Sequence, residues 1–444
     1  MTTPLYLLTA GTLFPENTRA NPEGHLLLGG CDVTELAATY GTPLYVFDED
    51  TLRHKCQEYL REFGSRYPQV TVLYASKAYT NRAIARLIAE EGLGMDVVSD
   101  GELAVAKAAG MPLERVYFHG NNKSPEELAL ALDWGVGRIV VDNFHELALL
   151  DRLAREKRRT QKVLLRVAPG VDPHTHAYIS TGAVDSKFGF TLATGDAAHA
   201  VAQACAAANL DLVGLHMHLG SQLFETEPYA AAIHGMLGFA KEMGERHGLS
   251  LQEFSPGGGF AVQYLAENQA PPLAAYAEVI AQTVQQGCQT HGLPLPKIVL
   301  EPGRSIVGRA GVALYTVGAI KEIPGVRKYV AVDGGMADNI RPALYQARYE
   351  AVVANRLDAE GPSETVTIAG KYCESGDILI QDITLPTLEP GDLLALPAAG
   401  AYCLAMASNY NAAPRPAVVM VKGGRARLIR RRESYQDLMQ WDEG

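Results

Sequence analysis

The sequence predicts an α/β chain built on a (β/α)8 TIM barrel, followed by a second, β-rich domain. Three observations carry that expectation. Between about residues 70 and 301, short apolar runs alternate with stretches of helical periodicity, the pattern of a parallel sheet. The runs end near Lys77, Ser99, His119, Asp142, Arg166, His218, Gly257 and Glu301. Eight such units over roughly 250 residues suit a closed barrel. After about residue 312 the helical stretches give way to short apolar runs separated by turn residues. A doubly wound open sheet is the competing architecture, but no glycine fingerprint follows the first run.

The elements follow in order. The first strand is the run Val70 to Lys77. In Asn81 to Glu91, Ile84, Leu87 and Ile88 recur at helical spacing and Gly92 can close the helix. Ser99 with Glu102 resembles a capping box before Leu103 to Ala109, closed by Gly110. The unit between Arg166 and His218 is longer, and its segment Pro169 to Phe190 is rich in Gly, Pro, His and Ser. A long loop of this kind is often functional. In the β-rich part, strands are expected at Tyr329–Val332, Val366–Ile368, Ile378–Ile380, Leu393–Leu396 and Val418–Val421. Asp333-Gly334-Gly335, Ser375-Gly376-Asp377 and Glu389-Pro390-Gly391-Asp392 serve as turns.

Composition narrows the function classes. A chain of 444 residues exceeds what one core usually serves, which favours two domains. A hydrophobic content of 47% supports a large core. The formal charge of -11 argues against a nucleic-acid partner. No apolar run reaches the roughly 18 residues of a membrane span, and the start lacks the pattern of a signal peptide. The six cysteines are scattered without disulfide or metal spacing, which points to a reducing, cytoplasmic setting.

Chemistry is expected at the C-terminal ends of the barrel strands. Lys77 closes the first strand. The last, Ile298-Val299-Leu300, runs into Glu301-Pro302-Gly303-Arg304, and the first and last strands are neighbours when a barrel closes. An amine at one strand end, with a carboxylate and a guanidinium at the next, fits a pyridoxal 5'-phosphate site. The amine binds the cofactor aldehyde, the carboxylate keeps the pyridine nitrogen protonated, and donors hold the phosphate. The plain alternative is a solvated lysine closing a strand. Ser255-Pro256-Gly257-Gly258-Gly259 follows the seventh strand, where glycines let backbone amides approach a phosphate; a glycine turn with no ligand is its alternative. His216-Met217-His218 puts two rings on one face of a strand. With His174 and His176 it offers a rival metal-hydrolase reading, but no carboxylate–histidine set completes a metal site and none is expected. Cys373-Glu374-Ser375 reads by default as a buried structural cysteine. A protonated thiol that donates to carbon also fits its acidic setting.

These residues carry a resemblance that runs over nearly the whole chain. Tyr74-Ala75-Ser76-Lys77-Ala78, His119-Gly120-Asn121-Asn122-Lys123, Asp185-Ser186-Lys187-Phe188-Gly189, His216 to Gln222 and Glu301 to Arg304 are similar to the diaminopimelate decarboxylase family. That family lies in the alanine-racemase-like, fold type III class of pyridoxal phosphate enzymes. Arg341-Pro342-Ala343-Leu344-Tyr345, Cys373-Glu374-Ser375 and Gly400-Ala401-Tyr402 extend the likeness into the second domain. The resemblance implies decarboxylation of meso-2,6-diaminopimelate to L-lysine. It implies that Lys77 carries the cofactor and that His218 stacks on its ring. Ser221, Gly257, Gly258, Gly259, Gly303 and Arg304 would bind the cofactor, with Glu301 at the pyridine nitrogen. Arg304, Arg341, Tyr345 and Glu374 would bind the substrate, and Tyr402 would touch both. Cys373 would be the proton donor, entering the site of the other subunit of a homodimer. The resemblance also adds the N-terminal segment to the β-rich, β-barrel-like domain, giving a barrel over 47–312 and a second domain of 1–46 plus 313–444.

The rivals are a relative acting on arginine, ornithine or carboxynorspermidine, a racemase of the same fold class, and a non-catalytic homologue that regulates a partner. The racemase would need a second base opposite Lys77, where Cys373 is expected instead. Intact Lys77, Glu301 and Cys373 argue against the regulator.

Overall fold

The computed structural model describes residues 13–170, 186–358 and 361–444. The chain forms two compact units: 55–261 with 271–303, and 1–54 with 262–270 and 304–444. Strand β1 (Leu44–Asp48) belongs to the second unit. The first unit holds β2 (Val70–Ala75), β3 (Gly94–Val97), β4 (Val116–Phe118), β5 (Arg138–Val141), β6 (Gln161–Ala168), β7 (Leu210–His216), β8 (Glu253–Gly257) and β9 (Lys297–Leu300).

These eight strands pair in parallel, each with the next. β9 returns to β2 with Ile298 opposite Val70 and Leu300 opposite Val72, so the barrel closes. A strand covered on both faces reads as a continuous apolar run rather than an alternating one. That is why the runs stood out in the sequence. Leu73, Tyr117, Val140, Leu164, Val213 and Val299 form one buried cluster of the barrel, each from a different strand. Near the N-terminal strand ends, Glu253 accepts from Arg138 Nη2 at 2.6 Å and Tyr117 Oη at 2.7 Å. Lys297 Nζ stands 2.8 Å from the same carboxylate. This ties together the starts of β4, β5, β8 and β9 at the face where such barrels build stability.

Helix ends follow local chemistry. Asn81 caps Arg82–Glu90 through Ala83 N and Ile84 N. Ser99 caps Asp100–Ala108 through Glu102 N, but the expected reciprocal half of the box is absent. The Glu102 carboxylate instead accepts from Val98 N at 2.8 Å, one residue before the cap. A complete box lies instead at Ser124 and Glu127, opening Pro125–Trp134.

The second unit continues with β10 (Gly311–Ile323), β11 (Arg327–Val332), β12 (Ser363–Ala369), β13 (Ile378–Pro386), β14 (Leu393–Leu396), β15 (Ala417–Lys422) and β16 (Arg425–Arg430). Their order is β13-β12-β11-β10-β1-β15-β16, with β14 on β10. Leu44 and Val46, Val312 and Leu314, Leu393 and Ala395, and Val419 and Val421 share one buried cluster. Each pair is two residues apart, so each strand turns one face inward. Among the described residues, no helix is long and apolar enough to cross a membrane.

Candidate active site

In the barrel unit, Lys77 is exposed on the short turn Ser76–Ala78 that directly follows β2. Ala75 N donates to Pro302 O at 3.0 Å, which holds this turn against the loop after β9. Gly303 makes that approach possible: a Cβ there would stand 3.0 Å from Ala75 Cβ. The glycine turn after β8 is equally close-fitting. A Cβ on Gly258 would meet Glu301 O at 2.2 Å, and one on Gly259 would meet Gly220 O at 2.6 Å. Gly257 and Gly259 also hold φ of +81° and +101°, which favours glycine. Tyr229 Oη donates to Gly258 O at 2.6 Å and fixes the turn from outside. His218 follows β7, with Gly258 N 3.4 Å from its Nδ1. Ser221 is exposed three residues further on.

Glu301, at the end of β9, is buried inside a set of donors. His216 Nε2 lies 2.9 Å from Oε2, and Ser255 Oγ donates to Oε1 at 3.0 Å. His119 Nε2 lies 3.3 Å from Oε1 and 3.8 Å from Asp96 Oδ1. The two histidine rings meet edge to face at 4.9 Å. Burial alone would push Glu301 up, but His216 and His119 overcome it and hold the carboxyl well below the usual range. Burial pushes His216 down to about 4, so it stands neutral and donates its Nε2–H. Burial would also lower His119, but Asp96 and Glu301 raise it. His218 is pushed well below its ordinary value by burial and then by the Lys77 ammonium.

Buried polar atoms at or just beyond the barrel strand ends that lack a hydrogen-bond partner among the described residues include Ser76 Oγ, Thr80 Oγ1, Asp96 Oδ1, Asp142 Oδ1 and His216 Nδ1. Buried polar groups are rarely left so. An anionic carboxylate, a reachable amine, a glycine turn and orphaned polar atoms on one barrel rim fit a polar aromatic aldehyde bearing a phosphate. His119, His216 and Glu301 also offer donor atoms within 4.8 Å of one another, the spacing of a metal set. His174 and His176 of the metal-hydrolase reading, and Asp185, lie outside the described residues.

In the β-rich unit, Arg341 opens the short helix Arg341–Tyr345 and is 6% exposed, whereas Tyr345 is 60% exposed. Arg304 lies with its guanidinium carbon 4.6 Å from the Tyr402 ring. Tyr402 has φ +62°, a left-handed backbone that tends to mark functional positions. Cys373 is exposed rather than buried, which corrects its default reading as a structural cysteine. Its backbone N donates to Asn411 Oδ1 at 2.9 Å, and Gly376 N donates to Glu374 Oε1 at 3.2 Å. Buried Asp377 accepts from Met336 N at 2.7 Å and Tyr372 N at 2.8 Å, bracing this turn.

Sequence reasoning missed Asp96, His119 and Ser255 around Glu301. Their signal was available, since each is a polar residue in or beside an apolar strand. It also missed Tyr264 and Tyr349, which pack on Arg304 and Arg341 and had no local signal.

Comparison with known proteins defines the class first. Residues 49–308 match the family model "Pyridoxal-dependent decarboxylase, pyridoxal binding domain", which makes the barrel that of a fold type III pyridoxal-dependent decarboxylase. A diaminopimelate decarboxylase of Bacillus subtilis (strain 168) is 49% identical over 425 residues, covering 96% of this chain and 97% of its own. One from Bacillus methanolicus is 47% identical over 420 residues, covering 95% and 97%. A crystal structure of diaminopimelate decarboxylase from M. jannaschii in co-complex with L-lysine superposes with a TM-score of 0.92 at 36% identity, covering 97% of this chain and 99% of that one. The chain belongs to the diaminopimelate decarboxylase family.

Proposed function

We propose that this chain removes one carboxyl group of meso-2,6-diaminopimelate as carbon dioxide and leaves L-lysine, the last step of lysine biosynthesis, with pyridoxal 5'-phosphate as cofactor. One observation carries the reading: the Lys77 amine and the anionic Glu301 carboxylate stand at the ends of paired neighbouring strands, β2 and β9. When bound, the cofactor supplies an electron-accepting ring conjugated to the substrate's α-carbon.

The chain's own residues do the rest. Lys77 offers the attaching amine. Glu301, kept anionic by His216 and His119, favours a cationic ring nitrogen. His218 offers a planar ring beside Lys77. Ser221, Gly257, Gly258, Gly259, Gly303, Arg304 and Tyr402 bind the cofactor. Arg304, Arg341, Tyr345, Glu374 and Tyr402 bind the substrate. The forked guanidinium of Arg341 suits the distal carboxylate, and Glu374 suits the distal ammonium. Cys373 delivers the proton that replaces the lost carboxyl group. The exposure of Cys373, Glu374 and Tyr345 on a single chain supports a homodimer in which Cys373 and Glu374 serve the partner's site. The cytoplasm, where thiols stay reduced, suits all six free cysteines.

The test is carbon dioxide release from meso-2,6-diaminopimelate by purified, cofactor-loaded protein, beside L-ornithine, L-arginine and carboxynorspermidine. Release from diaminopimelate at the highest kcat/KM is expected. A higher value for one of the other three would replace the substrate, and no release from any would overturn the reading.

A further inference from the structure

Arg341 is a buried cation with an unusual environment. It is 6% exposed, yet among the described residues no carboxylate forms an ion pair with it. A buried charge is costly unless paired. Aromatic rings take the place of the counter-ion here. The guanidinium carbon of Arg341 lies 4.6 Å from the Tyr264 ring centre and 5.3 Å from that of Tyr349, and its Nη1 donates to Tyr349 Oη. Tyr349 is itself buried and fixed, with its hydroxyl 3.4 Å from Cys403 Sγ. Tyr264 and Tyr349 meet edge to face at 5.6 Å.

Tyr264 also reaches the second arginine. Its ring centre lies 5.7 Å from the guanidinium carbon of Arg304, and Arg304 Nη1 donates to its hydroxyl at 2.7 Å. Arg304 in turn lies 4.6 Å from the Tyr402 ring. The result is an alternating series, Tyr402–Arg304–Tyr264–Arg341–Tyr349, with Tyr264 at its centre. Two like charges held against one ring repel each other, and the ring face and hydroxyl offset that repulsion. Arg341, buried with no carboxylate ion pair among the described residues, brings the forked positive charge that a carboxylate pairs with.

We propose that Tyr264 is a specificity-determining positioning residue: by holding Arg304 and Arg341 in one fixed spacing, it sets the preference for a ligand that keeps a carboxylate at its distal end over a basic amine that has none. This rests on the substrate reading given above. Tyr264 acts through the arginines and not on the reacting atoms.

The experiment compares wild-type holoenzyme with Tyr264→Phe and Tyr264→Leu. Two probes serve as competitive inhibitors of diaminopimelate turnover: L-lysine, which retains a carboxylate, and cadaverine, which is the same chain without it. Direct calorimetric binding of both probes to holoenzyme gives a readout independent of activity. Tyr264→Leu removes both ring and hydroxyl, so L-lysine should bind about tenfold or more weakly while cadaverine changes less than about twofold. Tyr264→Phe keeps the ring and loses only the hydroxyl, so its loss of L-lysine should be smaller but of the same sign. KM for diaminopimelate should rise more than kcat falls. Equal weakening of L-lysine and cadaverine, or unchanged L-lysine binding in both variants, would overturn the proposal. If Tyr264→Leu does not fold, Tyr264→Phe decides by the same ratio. A wild-type holoenzyme that neither decarboxylates diaminopimelate nor binds L-lysine would instead overturn the substrate reading itself.

Discussion

His216 makes the acid stability of the barrel a test of its interior. The residue is 1% exposed, donates to Glu301, and is held neutral down to about pH 4, against an ordinary value near 6.5. Between those values the unfolded chain binds a proton at this histidine and the native chain does not. The native state is therefore fully supported above about pH 6.5 and loses stability as pH falls toward 4. Over the window to pH 4.5 that loss comes to about 2 kcal/mol for this one residue. His216→Gln removes the titrating group but keeps an N–H donor for Glu301. The variant should match wild type at pH 7 to within about 1 kcal/mol. It should lose about 2 kcal/mol less than wild type on acidification to pH 4.5. Urea unfolding of both proteins at the two pH values, read as the difference of differences, measures this, because titrations remote from the His216–Glu301–His119 cluster cancel. Equal acid-induced losses in both proteins would show that His216 is charged in the native barrel and would refute the account of Glu301's surroundings.

Further outcomes follow from the same geometry. Lys77→Ala should leave no lysine-attached cofactor after borohydride reduction, read by peptide mass spectrometry, with turnover nearly abolished; a reduced adduct on another lysine with retained turnover would displace Lys77. Mixing Lys77→Ala with Cys373→Ala, each severely impaired alone, should raise turnover well above either variant once subunits re-pair, since a mixed dimer regains one complete site; verified re-pairing without recovery would rule out the shared site. Cys373→Ala alone should retain its attached cofactor yet slow turnover by about 10²–10⁴-fold. Glu253→Ala should cost about 3–5 kcal/mol in urea unfolding, because Arg138 and Lys297 lose their shared carboxylate and Tyr117 its acceptor; a loss under about 1 kcal/mol would mean the cluster is solvated. Dialysis against a chelator should leave turnover of cofactor-loaded protein intact, since His216 already donates to Glu301; loss reversed by a divalent cation would make His119, His216 and Glu301 a metal set.

The barrel was legible because its strands are covered on both faces and so stand out as unbroken apolar runs. Chain direction alone then tells which residue closes each strand. Lys77, Glu301, His218 and the Gly257–Gly259 turn could be named on that basis, and the strands they follow are the ones observed. Local rules failed where two acceptors competed: Glu102 satisfies Val98 N rather than completing a box with Ser99, because a carboxylate on the first turn can reach either amide. Cys373 read as buried by default, and only the turn braced by Asp377 exposes it.

What the sequence by itself determined was the alternation, the polarity of each strand, and hence the amine, carboxylate and glycines at the strand ends. The tertiary structure alone decided which groups surround them. His119 and His216 reach Glu301 across sequence separations of 182 and 85 residues. Tyr264 reaches Arg304 and Arg341 from the segment 262–270, which groups with the β-rich unit although barrel residues flank it on both sides. The reason is physical. Strand ends are set by local backbone pattern, which a sequence displays. The ionisation of Glu301 and the spacing of two arginines are set by through-space fields and packing, which depend on where the chain returns.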